Sequence, residues 1–175
     1  MYLTFLFDQE RIRESPFEYV VLPAATHAPQ SQAIGEGVHR AVAGKQQSFY
    51  ILPKDAFGNC RWSHQSMSTD ERHLDLFHAT AVLLDVAEGV VINVDVTYDA
   101  SSRSLLGTYT PSKSGQYQLS ILYEAKGIST HIRGSPFALN VIPGATFAQE
   151  SIAFGSGLHS GVAGDTPSEV DDPAC

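Results

Sequence analysis

Positive charge is scarce in this chain. Of its 175 residues, 11 are Lys or Arg against 19 Asp or Glu, a net charge of −8 at pH 7. The basic residues never gather into a run. Such a surface repels phosphate backbones and anionic headgroups, which argues against nucleic acid as a partner. Cysteine is sparse too: Cys60 falls in a predicted loop and Cys175 ends the chain. Neither stands where two sheets of a sandwich are usually bridged, so both read as free thiols, which suits a reducing compartment. No Asn-x-Ser/Thr acceptor occurs. The opening MYLTFLFDQE has a short apolar run, no basic residue and an early acid, so it does not read as a secretory leader. Nowhere does an apolar run approach the ~18 residues of a membrane span.

What is present is a repeat. Residues 14–45, ESPFEYVVLPAATHAPQSQAIGEGVHRAVAGK, align without a gap on residues 134–165, GSPFALNVIPGATFAQESIAFGSGLHSGVAGD. The offset is 134 − 14 = 120, and 16 of the 32 aligned positions are identical. Among them are Ser15/Ser135, Pro16/Pro136, Phe17/Phe137, Gly35/Gly155 and Val42-Ala43-Gly44/Val162-Ala163-Gly164. Self-similarity at this spacing signals tandem domains. The expected organisation is the closing strands of one repeat at 1–23, a complete repeat at 24–143, and the start of another at 144–175. The last fails after Gly164, where an acidic, proline-broken tail is expected to be disordered.

Within the complete repeat the apolar period is two, the mark of half-buried strands. Strands are predicted at Ala25–Ile34, Ser48–Leu52, Phe77–Leu84, Val91–Tyr98 and Leu105–Thr110, then through Tyr117–Tyr123, with a last one opened by Gly134-Ser135-Pro136-Phe137. Asp55-Ala56-Phe57-Gly58-Asn59 reads as a turn. In the fourth strand Ile92, Val94, Val96 and Tyr98 should point inward, and Asn93, Asp95 and Thr97 outward. Tyr117, two residues before Leu119, has the spacing of a tyrosine corner. Seven short strands with regular turns and no helical period predict an all-β, immunoglobulin-like antiparallel β-sandwich. Residues 60–75 form a polar loop longer than this fold needs.

Several motifs in order resemble the filamin-type (actin-binding-protein-280) immunoglobulin-like repeat. They are Gly35-x-Gly37 leading to Val42-Ala43-Gly44, Asp55-x-x-Gly58-Asn59, Tyr109-Thr110-Pro111, Gly115-x-Tyr117, and Gly134-Ser135-Pro136-Phe137 closing on Pro143-Gly144. The resemblance covers residues 24–143 in full and both flanks in part. The long 60–75 loop, a missing Asn-Gly-Asp-Gly turn after the fourth strand, and a shorter loop before Ser15 depart from the pattern. The resemblance implies a non-catalytic scaffold module, cytoplasmic or cytoskeletal, that binds protein partners in a tandem array. It also implies the mode: an extended peptide adds as a strand at an exposed edge beside the third strand, packing between the third and fourth. The residues placed there are His78, Thr80, Val82 and Leu84 with Asn93 and Asp95. Val82 and Leu84 could instead pack under the long loop. Filamin-type repeats with irregular loops are also similar to gamete-expressed adhesion proteins, which would put the chain at a cell surface. No helical actin-binding domain is legible, so direct actin binding is not expected.

Other constellations carry less. Cys60, His64, His73 and His78, with Asp70, Glu71 and Asp75, could ring a metal, but a single cysteine at this spacing matches no recognised zinc pattern. A solvated polar loop is the preferred reading. No cofactor is expected. Gly35-x-Gly37 is followed by no helix, which excludes a dinucleotide loop, and no G-x-S-x-G nucleophile turn occurs. Trp62 is either an exposed contact or the anchor of the long loop. An enzyme or metal protein built on residues 60–78 is the alternative of another class.

Overall fold

The computed structural model describes residues 2–62, 76–84, 89–155, 158 and 163. Residues 1–144 form one compact unit and residues 145–175 another. The first holds β1 (Tyr2–Leu3), β2 (Leu6–Phe7), β3 (Glu10–Arg11), β4 (Phe17–Glu18), β5 (Gln32–Ile34), β6 (Arg40–Val42), β7 (Gln47–Leu52), β8 (Leu76–Leu83), β9 (Val91–Asp99), β10 (Ser104–Tyr109), β11 (Gly115–Ala125), β12 (Ile128–His131) and β13 (Phe137–Ile142).

The predicted sandwich is present. β5, β7, β10 and the end of β9 form one layer, while the start of β9, β8, β11, β13 and β6 form the other. β12 extends the second layer by pairing with β11. Seven strand positions result, because β5 with β6 and β12 with β13 are each one strand broken in two. The first strand is shorter than predicted. Residues 28–30 wind into a 3-10 turn with Pro29 near its start, where the missing N–H costs nothing. Arg40–Val42 then pairs parallel with Asn140–Ile142, a partner about a hundred residues away that no local pattern reveals.

Alternation places the core as expected. Phe49 and Ile51 of β7, with Leu105 and Tyr109 of β10, face Ala79, Ala81, Tyr117, Leu119, Ile121, Leu139 and Val141 of the other layer. Each large side chain so buried contributes roughly 1.5–3 kcal/mol. Within the first layer, β10 and β7 fit closely at Gly107. A Cβ there would lie 2.7 Å from the Phe49 ring, so the missing side chain is what admits the aromatic. Two tyrosines tie the ends of the sandwich. Tyr117 donates its hydroxyl to the Lys113 carbonyl at 2.9 Å, completing the tyrosine corner. Tyr109 donates to the Gly37 carbonyl, and burial pushes its phenol up to about 12.

Asp55 closes the start of the repeat. Its Oδ1 accepts from the N–H groups of Phe57 (3.0 Å) and Asn59 (2.8 Å), and its Oδ2 from Ala24 N–H (3.0 Å) and Asn59 Nδ2 (2.9 Å). The turn read from the sequence is thus also a clamp on the chain entering the domain. Trp62 is buried and meets Tyr98 edge to face at 5.3 Å. Between its two readings, the anchor is the one observed.

Candidate protein-interaction seam

The third strand is not the free edge that the sequence reading supposed. β8 pairs with β11 along its whole length, Leu76↔Glu124 to Leu83↔Tyr117. On its other side β9 begins as its antiparallel neighbour, from Val82↔Val91 to Ala79↔Val94. The ladder continues one step further, where Leu83 N–H donates to the Val90 carbonyl at 2.9 Å. Asp95–Asp99 then leaves β8 and pairs with Ser104–Thr108 of β10 in the opposite layer.

The two strands therefore part after Ala79 and Val94, leaving a short seam. Antiparallel ladders alternate, so alternate residues direct both backbone groups to the same neighbour. Leu84 N–H donates to Gln116, which assigns the even residues of β8 to β11 and the odd ones to β9. By the same alternation Phe77 on β8 and Val96 on β9 direct their N–H and C=O groups into the seam. Among the described residues no strand pairs with either there.

The predicted contact residues divide by position. His78, Thr80 and Val82 lie on the outer face of β8, opposite in sense to buried Phe77, Ala79, Ala81 and Leu83. Leu84 follows the end of the strand and is exposed. Asn93 sits directly across from Thr80, and Asp95 is the first residue of β9 beyond its pairing with β8. Both are exposed, as the alternation required. His78 Nε2 lies 3.0 Å from Glu124 Oε2 on β11, a partner that only the sheet register brings near. The sequence reading missed Phe77 and Val96 because their contribution is backbone, and missed Glu124 because it lies forty-six positions away.

Whether Val82 and Leu84 pack under the long loop depends on residues 63–75, which lie outside the described residues, as do His64, Asp70, Glu71, His73 and Asp75 of the weighed metal cluster. Among the described residues no group of three His, Cys, Asp or Glu side chains could hold a metal ion. Nor is any helix long and apolar enough to cross a membrane.

These features define an immunoglobulin-like sandwich of seven strand positions whose third and fourth strands start paired and end in different layers. Residues 25–138 match the Filamin/ABP280 repeat, and the chain belongs to that family. The filamin repeat is a non-catalytic fold that serves protein interaction. The chain is 29% identical over 146 residues to E3 ubiquitin-protein ligase TRIM71 of Gallus gallus, covering 83% of this chain and 14% of that protein. It is 30% identical over 146 residues to Tripartite motif-containing protein 2 of Homo sapiens, covering 82% and 17% respectively. The chain thus spans less than a fifth of the length of these relatives. Among solved structures it is similar to the crystal structure of the Lin-41 filamin domain, at 25% identity and a TM-score of 0.49, covering 68% of this chain and 98% of that one.

Proposed function

We propose that the chain is a non-catalytic interaction module that takes an extended segment of a protein partner as an added strand in the seam between β8 and β9. The ladder groups of Phe77 and Val96, which no strand among the described residues pairs in the seam, carry this reading, since an inserted strand satisfies them both. His78, Thr80, Val82 and Leu84 on one side and Asn93 and Asp95 on the other would set selectivity through the peptide's alternate side chains. The seam is short, so backbone pairing supplies few bonds and the flanking side chains supply most of the discrimination. In a longer protein built like the ubiquitin ligase that it resembles in part, the module would choose the partner and leave chemistry to another domain. We place the module in the cytoplasm, a compartment that suits a chain with only two cysteines.

The test is a peptide-display selection on the full chain, followed by titration of the selected peptide against its assigned amide spectrum. The largest shifts are expected at Phe77, His78 and Asp95–Thr97. The Val82→Glu, Leu84→Glu double variant should weaken binding by about tenfold or more without lowering the melting temperature. Shifts confined to β5, β6 or β12, strands of the sandwich that also have an open side among the described residues, would overturn the reading.

A further inference from the structure

Residues 2–22 reproduce the central pairings of the closing hairpin of the complete repeat. In that repeat β11 pairs with β13 through Gln118↔Ala138 and Leu119↔Phe137, and with β12 through Leu122↔His131 and Tyr123↔Thr130. At the N-terminus the pairs are Tyr2↔Glu18, Leu3↔Phe17, Leu6↔Arg11 and Phe7↔Glu10. The second members differ by 120 throughout and the first by 116, because the N-terminal hairpin is four residues shorter. Both hairpins turn through two consecutive residues of positive φ, Asp8 and Gln9 in one, Lys126 and Gly127 in the other.

The irregular crossover between the paired segments is copied as well. Ile132 N–H donates to the Ile121 carbonyl at 3.1 Å, and Ile12 N–H to Phe5 at 3.2 Å. Ser135 N–H donates to Ile132 at 3.0 Å, and Ser15 N–H to Ile12 at 3.1 Å. The Ser135 hydroxyl accepts from Ile121 N–H at 2.8 Å, and that of Ser15 from Phe5 N–H at 3.0 Å.

What differs is the cover. Leu119, Ile121, Ile132, Leu139 and Val141 are at most 2% exposed. At the positions equivalent to the last four, Phe5, Ile12, Tyr19 and Val21 are 42–66% exposed, while Leu3, at the position of Leu119, is half-buried. A two-stranded hairpin with one bare apolar face does not hold itself in water. We propose that residues 2–22 close a second sandwich, and that their bare face is covered by strands equivalent to β5–β10 supplied by polypeptide preceding Tyr2. The order follows from the complete repeat, where those strands come before the closing hairpin. By the same duplication, residues 145–155 reopen the pattern. The Ser151 hydroxyl donates to the Phe147 carbonyl at 3.0 Å as that of Ser31 does to His27 at 3.1 Å. The proposal concerns a surface separate from the β8–β9 seam, and it stands or falls apart from peptide binding.

The experiment compares amide hydrogen exchange in the 175-residue chain with that in a chain carrying a copy of residues 24–117 directly ahead of Tyr2, in place of Met1. The join restores the register of the complete repeat. Exchange at Phe5 and Ile12 should be near that of an unfolded chain in the first protein and slower by about 100-fold or more in the second. Ile12→Asp in the longer protein should return fast exchange at residues 2–22 while β11 keeps its protection. Fast exchange in both proteins overturns the proposal. Slow exchange in the 175-residue chain also overturns it: if protection grows with concentration, a second copy covers the face, and if not, the chain covers it itself. A second measurement does not depend on the duplication folding. Phe5→Asp with Ile12→Asp in the 175-residue chain should leave the melting of the complete repeat unchanged, and a fall in that melting temperature refutes the assignment.

Discussion

Asp55 shows how one side chain can hold a domain's entrance. Its carboxylate accepts four hydrogen bonds, and these, led by the Asn59 amide, lower its pKa from 3.8 to about 2. A group whose folded pKa is depressed contributes stability that is present above its unfolded pKa. That contribution is lost as pH falls through the folded value. Asp99, held down by the Ser102 and Ser101 hydroxyls, acts in the same direction. The melting temperature should therefore fall between about pH 4 and pH 2. Asp55→Asn should melt lower than the parent at pH 7, because it trades two accepting oxygens for one, and should lose less over the acid window. Calorimetric scans of both proteins at pH 7, 4 and 2 check this. Equal acid losses would show that Asp55 is not a source of the dependence.

At the scale of elements, neighbouring strands of one layer are matched in absence and bulk. Gly107 on β10 receives the Phe49 ring of β7, its register partner. Gly107→Val should force that ring out of place and destabilise the domain by about 1–3 kcal/mol, measured by urea denaturation. A change below a few tenths would mean that the ring has room to move. The same scale explains where strand prediction stopped. Strands with strict alternation, such as β7 and β11, were legible to within two residues. β6 and β12 were not, since one is held by a distant parallel partner and the other is exposed at all four positions. The switch of β9 between layers was invisible too, because its inward-outward alternation runs unbroken through the point where its partner changes.

At the scale of the whole molecule, a single tryptophan reports on the core. Trp62 is buried against Tyr98 and belongs to the same cluster as Phe49, Ile51 and Leu119. If the complete repeat unfolds as one unit, Trp62 emission and far-ultraviolet circular dichroism should give one coincident transition in denaturant. A tryptophan transition that precedes the other would show that the segment around Trp62 opens before the sandwich does. The N-terminal hairpin should add no separate step, because its bare face gives it little stability of its own.

Some properties of this protein were determined by its sequence alone. The 120-residue duplication, the all-β class, the tyrosine corner and the inward sets of the main strands all follow from local pattern, since side-chain direction in a strand depends only on parity. The Asp55 turn and the outward placement of His78, Thr80, Asn93 and Asp95 were legible for the same reason. Which backbone edge lies open was decided only in the tertiary structure. Edge or interior is a property of neighbours brought together across the fold, and the same β8 residues could have been either. The short return from Leu83 to Val91 covers β8 over Ala79–Val82, and the departure of Asp95–Asp99 to β10 leaves the seam.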